Sequence, residues 1–421
     1  AIGAITGSPA LSADGTVRSL EGIDINIVPA WKKYDAKSEK RQVIVALIDT
    51  GVDITHPELS GSIWTNTGEI PGDGIDNDGN GYIDDVYGWN FYDNNAQVFT
   101  GVDDNHGTHS AGTIAAARNG VGTVGICDPA YVKIMVIKTL GTSSGVGTVS
   151  NVVKAIRYAQ VNGASICNLS FGTMKYSEEL YQAIKDSGML FIVAAGNGDA
   201  SGNGYSIDEQ PMYPASFELD NIISVANLRF DGQLDRASDY GVRSVDLAAP
   251  GNYILSTITG NDYAYMSGTS MAAPHATGVA GLLFAANPDL TGPQVKQLMI
   301  ASTSGRFYYE DGSSGLINAE KAVVSGLQTE KKSVSSVINN QTNSGLDLCF
   351  VVDTTGSMKD DIDNAKENMS KILAQLSEKS AGYRVALIDY RDFPDRSGSD
   401  KDYAARIQLK FSDNADTITR A

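Results

Sequence analysis

The stretch V-I-V-A-L-I-D-T-G-V-D (residues 43–53) opens with an unbroken apolar run that ends in an aspartate. Short, β-branched runs of this kind are typical of strands buried on both faces of a sheet. Amphipathic stretches with helical spacing, at 149–160 and 177–187, lie between further runs of the same kind. Those runs are V-K-I-M-V-I-K (132–138), A-S-I-C-N-L-S (164–170), L-F-I-V-A-A-G (190–196) and I-I-S-V-A (222–226). The alternation predicts an α/β fold, a parallel sheet with helices on both faces.

The chain has 421 residues and a formal net charge of -18. Its length exceeds that of a typical single domain, so we expect two domains. The negative charge argues against nucleic acids and anionic membranes as partners. The longest apolar stretch, residues 276–286, is too short to span a bilayer. Because the chain begins with Ala rather than Met, we expect either a removed leader or a fragment of a longer protein.

Three cysteines are too few for a disulfide framework. Cys127, Cys167 and Cys349 all lie in apolar surroundings, which predicts buried free thiols that act as small hydrophobic side chains. A cysteine-dependent hydrolase is the alternative. None of the three has a histidine nearby in sequence, which is weak evidence against it because such partners meet in space.

Three motifs together offer an acid, a base and a hydroxyl nucleophile. Asp49 ends the first strand, at the carboxyl edge where chemistry collects in parallel sheets. His106 lies in N-H-G-T-H-S-A-G (105–112), whose small residues let a helix begin close to the sheet. Ser270 lies in G-T-S-M-A-A-P-H (268–275), at the start of a helix whose N–H groups face developing negative charge. Serine needs such an adjacent base to become a nucleophile. The alternative is that Ser270 only caps the helix.

The order Asp49, His106, Ser270 is the order found in subtilisin, and the chain resembles the subtilisin-like serine proteases over about residues 20–327. The resemblance implies a three-layer subtilisin-like fold and a catalytic triad. It also implies that Asn197, in A-A-G-N, and the Ser270 N–H hold the oxyanion, against an ordinary turn asparagine as the alternative. His109, His275 and His56 are then expected to have structural roles.

The same resemblance implies where a substrate binds. The family holds its peptide as an extended strand between two backbone segments. Here these segments are Ser170, Phe171 and Gly172 on one side, and Gly145 to Gly147 on the other. Phe171 would form an apolar wall, which predicts a preference for apolar or aromatic side chains before the cleaved bond.

D-G-I-D-N-D-G-N-G-Y-I-D-D (73–85) has the alternating oxygen ligands of an EF-hand-type calcium loop. The predicted Ca²⁺ ligands are Asp76, Asp78, Asn80, the Tyr82 carbonyl, Asp84 and Asp85. Tyr87 stands where an EF-hand has its bidentate glutamate, so Asp85 or Asp73 would have to complete the shell. The alternative is a solvated acidic turn. By resemblance to the subtilisin-like proteases, Glu58 and Asn119 form a second, weaker calcium site.

Residues 328–345 are polar and read as a linker between a peptidase domain, 1–327, and a second domain, 346–421. The peptidase domain would close with a helix at 315–323. The second domain resembles the start of a von Willebrand factor A domain, because D-T-T-G-S-M (353–358) follows an apolar strand. The resemblance implies that Asp353, Thr355 and Ser357 hold Mg²⁺ or another divalent cation and face a protein ligand. The remaining metal-binding loops of that family would lie beyond residue 421, so we expect an incomplete sheet and a weakened or absent site.

Two functions follow from these resemblances. The first is a secreted or cell-surface, calcium-stabilised endopeptidase that acts on proteins or peptides. The second is a cation-dependent adhesion protein in which the protease domain is accessory.

Overall fold

The computed structural model describes residues 23–141, 145–309, 312–329, 346–353, 383–390 and 406–412. They divide into two units, Ala1–Glu330 and Lys331–Ala421. Within the described part of the first unit, nine strands form one sheet. They are β1 Val43–Asp49, β2 Gly88–Asn90, β3 Val132–Lys138, β6 Ile166–Leu169, β7 Leu190–Ala194, β8 Ile222–Leu228, β9 Leu247–Pro250, β12 Ser304–Tyr309 and β13 Gly312–Leu316. Their order in the sheet is β12-β13-β9-β8-β7-β6-β1-β3-β2, and only β12 runs antiparallel to its neighbour.

Helices cover both faces of this sheet, as the sequence pattern predicts. Two of them, α2 and α5, pack against one another and against the sheet, while α3 and α4 pack together in the other layer. The helices are α1 Ile27–Asp35, α2 Asn105–Ala115, α3 Val149–Val161, α4 Glu178–Lys185, α5 Thr269–Ala286, α6 Gly292–Ala301 and α7 Ala319–Gln328, with a short 3₁₀ helix at Val102–Asp104. Two hairpins complete the unit, β4 Leu140–Gly141 with β5 Val146–Gly147 and β10 Ile254–Ile258 with β11 Asp262–Met266.

The five apolar runs form β1, β3, β6, β7 and β8, so the predicted parallel α/β sheet is confirmed. Strand β1 lies between β3 and β6, and its residues are almost entirely buried because both faces are covered. In this register Asp49, the last residue of β1, pairs with Lys138, the last residue of β3. The carboxyl edge of the sheet therefore brings the end of β1 next to a lysine.

Helix α2 begins unusually close to the sheet. A Cβ added to Gly107 would lie 2.1 Å from the Gly51 carbonyl oxygen and 3.3 Å from the Asp49 Cβ. Only glycine fits at this position, because any side chain would meet backbone atoms. The expectation that small residues allow this approach is confirmed, and it sets how near His106 can come to Asp49.

Helix α5 is the most buried helix among the described residues. All of its residues except His275 are buried, and it contacts β1, β3, β6, β7, β8 and β9. A helix that is apolar on every side belongs in a core. Ser270 lies in its first turn, so the predicted nucleophile is part of this buried helix.

The closing helix begins later than predicted. Gly315 and Leu316 pair in parallel with Leu247 and Ala248 of β9, so they belong to β13 rather than to a helix. Helix α7 starts at Ala319, where the Asn318 side chain accepts the Lys321 N–H at 2.9 Å. The predicted start at residue 315 was therefore wrong, because strand pairing and an asparagine cap set the boundary.

In the second unit, strand β14 (Leu346–Asp353) pairs in parallel with β15 (Tyr383–Tyr390), and β15 pairs antiparallel with β16 (Arg406–Ser412). The strands predicted at the start of this unit and at 383–390 are confirmed. Asp353 ends β14, while Thr355 and Ser357 lie outside the described residues. Of the helices that the structure describes, none combines the length and the apolar character needed to cross a membrane.

Candidate active site

Asp49 and His106 form a buried hydrogen-bonded pair. The His106 Nδ1 lies 2.6 Å from the Asp49 Oδ1, and the two residues are only 5% and 1% exposed. The same oxygen accepts the Thr50 N–H at 2.7 Å. A carboxylate only accepts hydrogen bonds, so Nδ1 carries the ring proton and Nε2 is left as the basic nitrogen. This is the arrangement that orients an imidazole as a general base.

Ser270 is the second residue of α5, and Gly268 occupies the N-cap position. The hydroxyl does not cap the helix, because it donates to the Ser170 carbonyl at 3.0 Å. The Ser170 hydroxyl in turn donates to the Ser270 carbonyl at 3.3 Å. The capping interpretation thus has no support in these contacts. The Ser270 N–H lies between the Thr269 N–H, which donates to the Asn197 side chain, and the Met271 N–H, which donates to the Gly268 carbonyl.

Asn197 follows strand β7 and has an exposed side chain. Its Oδ1 accepts the Thr269 N–H at 2.9 Å and the Thr269 hydroxyl at 3.1 Å. These two bonds hold the amide beside the residue that precedes Ser270. Because its oxygen is already used, its NH₂ end is the one that can donate to a ligand. Asn197 is therefore tied to the start of α5.

Next to this site lies a buried ion pair that the sequence did not predict. The Lys138 Nζ lies 2.7 Å from the Asp104 Oδ1, and the two side chains are 2% and 0% exposed. Lys138 also donates to the carbonyls of Thr50 and Leu140. It thereby ties together the end of β3, the residue after Asp49 and the start of α2. The available signals were a lysine that closes an apolar strand and an aspartate two residues before His106.

The other histidines have structural surroundings. His109 is fully buried and its Nε2 donates to the Ile254 carbonyl at 2.9 Å. Burial lowers the pKa of His109 to about 4. His275 is half-buried; its Nδ1 donates to the Met271 carbonyl at 2.9 Å, and partial loss of hydration lowers its pKa to about 4 as well. His56 sits in a turn against Tyr263. In the contacts just described, none of these three histidines binds Asp49 or Ser270.

One predicted substrate segment follows strand β6, and the other includes strand β5. Ser170 follows β6, and its carbonyl holds the Ser270 hydroxyl. Phe171 is half-buried and packs against the core, while a Cβ on Gly172 would lie 2.9 Å from the Met212 sulfur. On the other side, Val146 and Gly147 form the exposed strand β5, preceded by Gly145 with φ 60°. Exposed β5 backbone leaves hydrogen-bonding groups that an extended peptide can pair with.

The acidic loop brings together only some of the predicted calcium ligands. Carboxylate oxygens of Glu69, Asp78 and Asp85 lie within 4.8 Å of one another. Asp85 is fully buried, and burial raises the pKa of its carboxyl. Glu69 was missed, because it lies outside the EF-hand spacing. Three oxygen donors at this separation fit a hard cation such as Ca²⁺.

The remaining predicted ligands of this loop make local contacts. Asp76 accepts the N–H groups of Asn80 and Gly81, and Asp84 accepts those of Gly72 and Gly74. The Asn80 side chain donates to Asp78 and Asp85. Tyr82 stacks edge-on against its aromatic neighbours Trp89, Phe91 and Tyr158. Asp76 and Asp84 therefore shape the loop, whereas Asp78 and Asp85 face the cluster.

The second proposed calcium pair, Glu58 and Asn119, is in contact. The Asn119 NH₂ lies 3.3 Å from both Glu58 carboxylate oxygens, and the Tyr263 hydroxyl lies 3.3 Å from one of them. The Asn119 Oδ1 accepts the Val121 N–H at 2.9 Å. This pair offers a cation one carboxylate, whereas the Glu69 cluster offers three, so it fits a cation less well than that cluster does.

Cys127 and Cys167 are buried free thiols, and burial raises the pKa of each well above its usual range. A thiol needs a lowered pKa to act as a nucleophile. These two cysteines therefore have the structural role that the sequence predicted. The side chain of Cys349 lies outside the described residues.

Two family models match the chain: the subtilase family over residues 40–343 and the von Willebrand factor A domain over residues 347–399. Subtilisin-like protease 1 of Plasmodium berghei (strain Anka) is 35% identical over 272 residues, which are 61% of this chain and 45% of that protein. Subtilisin DY of Bacillus licheniformis is 34% identical over 305 residues, which are 71% of this chain and 97% of that protein. Among solved structures, the chain is similar to fervidolysin from Fervidobacterium pennivorans, a keratinolytic enzyme related to subtilisin, with a TM-score of 0.56 and 28% sequence identity. The matched region covers 72% of this chain and 45% of the fervidolysin chain.

A buried Asp–His pair at the carboxyl edge of a parallel α/β sheet, together with a serine in the first turn of a helix that packs against the histidine's helix, is typical of serine hydrolases. Within that class, the chain belongs to the subtilase family of subtilisin-like serine endopeptidases. Both resemblances drawn from the sequence, to subtilisin-like proteases and to von Willebrand factor A domains, are confirmed. The chain spans about half the length of the Plasmodium relatives that it matches.

We expect Lys138→Met to destabilise the fold by about 3–5 kcal/mol, because it leaves the buried Asp104 carboxylate without its cation. The free energy of unfolding, measured by urea denaturation in a Ser270→Ala background to prevent self-digestion, checks this. The control is Lys133→Met in the same strand, whose ammonium donates to the Gly61 and Pro129 carbonyls. That variant should cost about 1 kcal/mol. Equal losses in the two variants would contradict the special role of Lys138.

We expect His109 to make the protein acid-sensitive. Its pKa is lowered to about 4, so between about pH 6.5 and 4 the His109 ring is protonated in the unfolded state but stays neutral in the folded state. The associated stability is fully present above pH 6.5 and is lost as the pH falls, by about 1.4 kcal/mol per pH unit. His109→Gln should remove the His109 share of this slope, and leave the His275 share, in urea unfolding measured from pH 7 to 4.5 with Ser270→Ala. Parallel pH profiles of parent and variant would refute the assignment.

Proposed function

We propose that this protein is a secreted, calcium-stabilised serine endopeptidase that cleaves peptide bonds through an acyl-enzyme. The observation that carries the proposal is the 2.6 Å contact between His106 Nδ1 and Asp49 Oδ1, at the carboxyl edge of a sheet whose most buried helix carries Ser270 in its first turn. Membership of the subtilase family supports the reaction class.

In the proposed reaction, His106 Nε2 takes the proton from Ser270 Oγ as this oxygen attacks the peptide carbonyl. The Ser270 hydroxyl must first leave the Ser170 carbonyl, to which it donates at rest. Asp49 keeps Nδ1 protonated and stabilises the imidazolium that forms. His106 then gives its proton to the leaving amine, and water releases the acyl group by the same route.

The negative oxygen of the tetrahedral intermediate would be held by the Asn197 NH₂ and the Ser270 N–H. Thr269 supports this assignment, because its two hydrogen bonds fix the Asn197 oxygen and turn the amide nitrogen outward. Donors that are fixed before the reaction need no reorganisation when charge develops, which is why they lower the barrier.

The proposed substrate is an extended peptide that pairs with β5 on one side and with Ser170 to Gly172 on the other. Exposure of Val146 and Gly147 supports the first contact. The half-buried Phe171 supports an apolar wall beside the cleavage site. We therefore propose a preference for apolar or aromatic side chains before the cleaved bond.

Glu69, Asp78 and Asp85 are the residues that we propose hold Ca²⁺, which would crosslink the loop at 66–85. The donor set supports a hard cation, since all three side chains present carboxylate oxygens. Subtilase membership also supports an extracellular or cell-surface location. The domain boundaries proposed for the chain remain 1–327, 328–345 and 346–421.

Hydrolysis of a chromogenic peptide with an aromatic residue before the cleaved bond tests the reaction. We expect Ser270→Ala to lower kcat by about a millionfold. Asn197→Ala should lower kcat by about 10²- to 10³-fold with little change in KM, because the oxyanion forms only in the transition state. Full activity in Ser270→Ala would exclude the serine mechanism.

Calcium binding is tested by thermal unfolding of the Ser270→Ala protein. Ca²⁺ at about 100 times its Kd should stabilise the fold by about 2.7 kcal/mol, and chelation should reverse this. Asp78→Asn should reduce the gain because it removes a carboxylate from the cluster. Asp73→Asn is the matched control, since Asp73 lies in the same loop but outside the cluster. An unchanged thermal stability of the parent protein on adding Ca²⁺ would contradict the proposal.

A second candidate function is cation-dependent adhesion through the von Willebrand factor A-type unit. The match over residues 347–399 and the sheet β14-β15-β16 favour it, and the family suggests a protein ligand. Asp353, Thr355 and Ser357 would hold Mg²⁺ or another divalent cation. Mg²⁺-dependent binding of the Ser270→Ala chain to an immobilised protein, reversed by chelation, would support this function.

A further inference from the structure

Asp239 is a fully buried carboxylate next to the loop that carries Asn197. Its Oδ1 accepts the Gly198 N–H and the Tyr205 N–H, both at 3.1 Å. Its own backbone N–H donates to the Gly196 carbonyl at 3.0 Å. Asp239 therefore binds the residues immediately before and after Asn197.

The carboxylate also rests on the backbone of Gly196. A Cβ added there would lie 2.0 Å from the Asp239 Oδ2, so the carboxylate occupies the space that any side chain would need. Within the part of the chain that the structure describes, Oδ2 is buried and has no hydrogen-bond partner. The side chain thus contacts both neighbours of Asn197, one by packing and one by a hydrogen bond.

We infer that Asp239 is a positioning residue for the oxyanion amide of Asn197. The inference rests on the proposed function, because it assumes that the Asn197 NH₂ binds the oxyanion. Asp239 does not itself touch the reacting atoms in this inference. It acts by fixing the backbone from which the Asn197 side chain extends.

The loop needs such a support. Gly196 and Gly198 have φ values of 127° and 77°, in the region that glycine enters freely, and Asn197 between them is exposed. Thr269 fixes the amide oxygen, and its hydroxyl also accepts the Gly196 N–H at 3.3 Å, whereas the Gly198 N–H donates to Asp239. Without the Asp239 carboxylate, the Gly198 N–H loses its acceptor and the chain can move by the small distance that weakens an oxyanion donor.

The chemistry of Asp239 suggests a conservative replacement. Burial raises the pKa of its carboxyl to about 6, so a neutral group of the same shape suits this environment. Asparagine keeps an oxygen that can accept from Gly198 and Tyr205. Asp239→Asn should therefore preserve positioning, whereas Asp239→Ala removes the acceptor.

The alternative is that Asp239 stabilises the fold without any specific link to Asn197. The two roles differ in how a loss at Asp239 depends on Asn197. A positioning residue has little left to position once Asn197 is alanine. A residue with only a structural role lowers activity by the same factor in either background.

The test is a double-mutant cycle on kcat and KM, with the chromogenic peptide and with kcat expressed per folded enzyme. We expect Asp239→Ala to lower kcat by about tenfold with KM within about twofold, and Asp239→Asn to restore kcat. In the Asn197→Ala background, Asp239→Ala should lower kcat by less than about twofold. Asp199→Ala is the matched control, because Asp199 is exposed and accepts the Ser201 and Asn203 N–H groups of its own turn. It should leave kcat unchanged.

Three results would overturn the inference. An equal loss of kcat in both backgrounds would give Asp239 a structural role alone, while Asn197 would keep its proposed role. A tenfold loss in Asp239→Asn would refute the acceptor argument. An unchanged kcat in Asn197→Ala itself would refute the oxyanion assignment and the inference together. If Asp239→Ala does not fold, Asp239→Ser serves in the same cycle, because its hydroxyl is too short to reach both N–H groups.

Discussion

The buried contact between Lys138 and Asp104 is the interaction on which the arrangement of this site depends. It lies where three elements end or begin: β3, β1 and α2. Lys138 binds the Thr50 carbonyl just after Asp49, and Asp104 immediately precedes α2, which carries His106. Two separate chain segments are thereby fixed at one point. Gly107 makes this possible, because its missing side chain lets α2 approach the Gly51 carbonyl.

The proposed nucleophile, Ser270, and the proposed oxyanion amide, Asn197, are held by a second set of contacts, which is polar and mostly neutral. Thr269 links Asn197 to the start of α5, and Ser170 exchanges hydrogen bonds with Ser270. The Asn168 side chain joins this set by donating to the Ser170 hydroxyl and accepting from Thr277. Buried polar networks of this kind hold one geometry because every lost bond leaves an unsatisfied group. The site therefore combines one buried charge pair with many neutral bonds.

The sequence predicts the sheet and the triad because both leave local signals. Unbroken apolar runs mark β1, β3, β6, β7 and β8, and the motifs around Asp49, His106 and Ser270 are contiguous. The features that were missed depend on how the chain folds back on itself. Glu69 joins Asp78 and Asp85 only when the acidic loop closes, and Gly315 becomes part of a strand only when it pairs with Leu247. Pairwise contacts of this kind have no spacing rule that a single sequence displays.

Mounting Ser270 on α5 has a consequence for how the protein loses activity. Helix α5 contacts six strands and is buried along its length, so it belongs to the region that opens only when the whole unit unfolds. The Ser270 hydroxyl thus keeps its position for as long as the core of the unit stays folded.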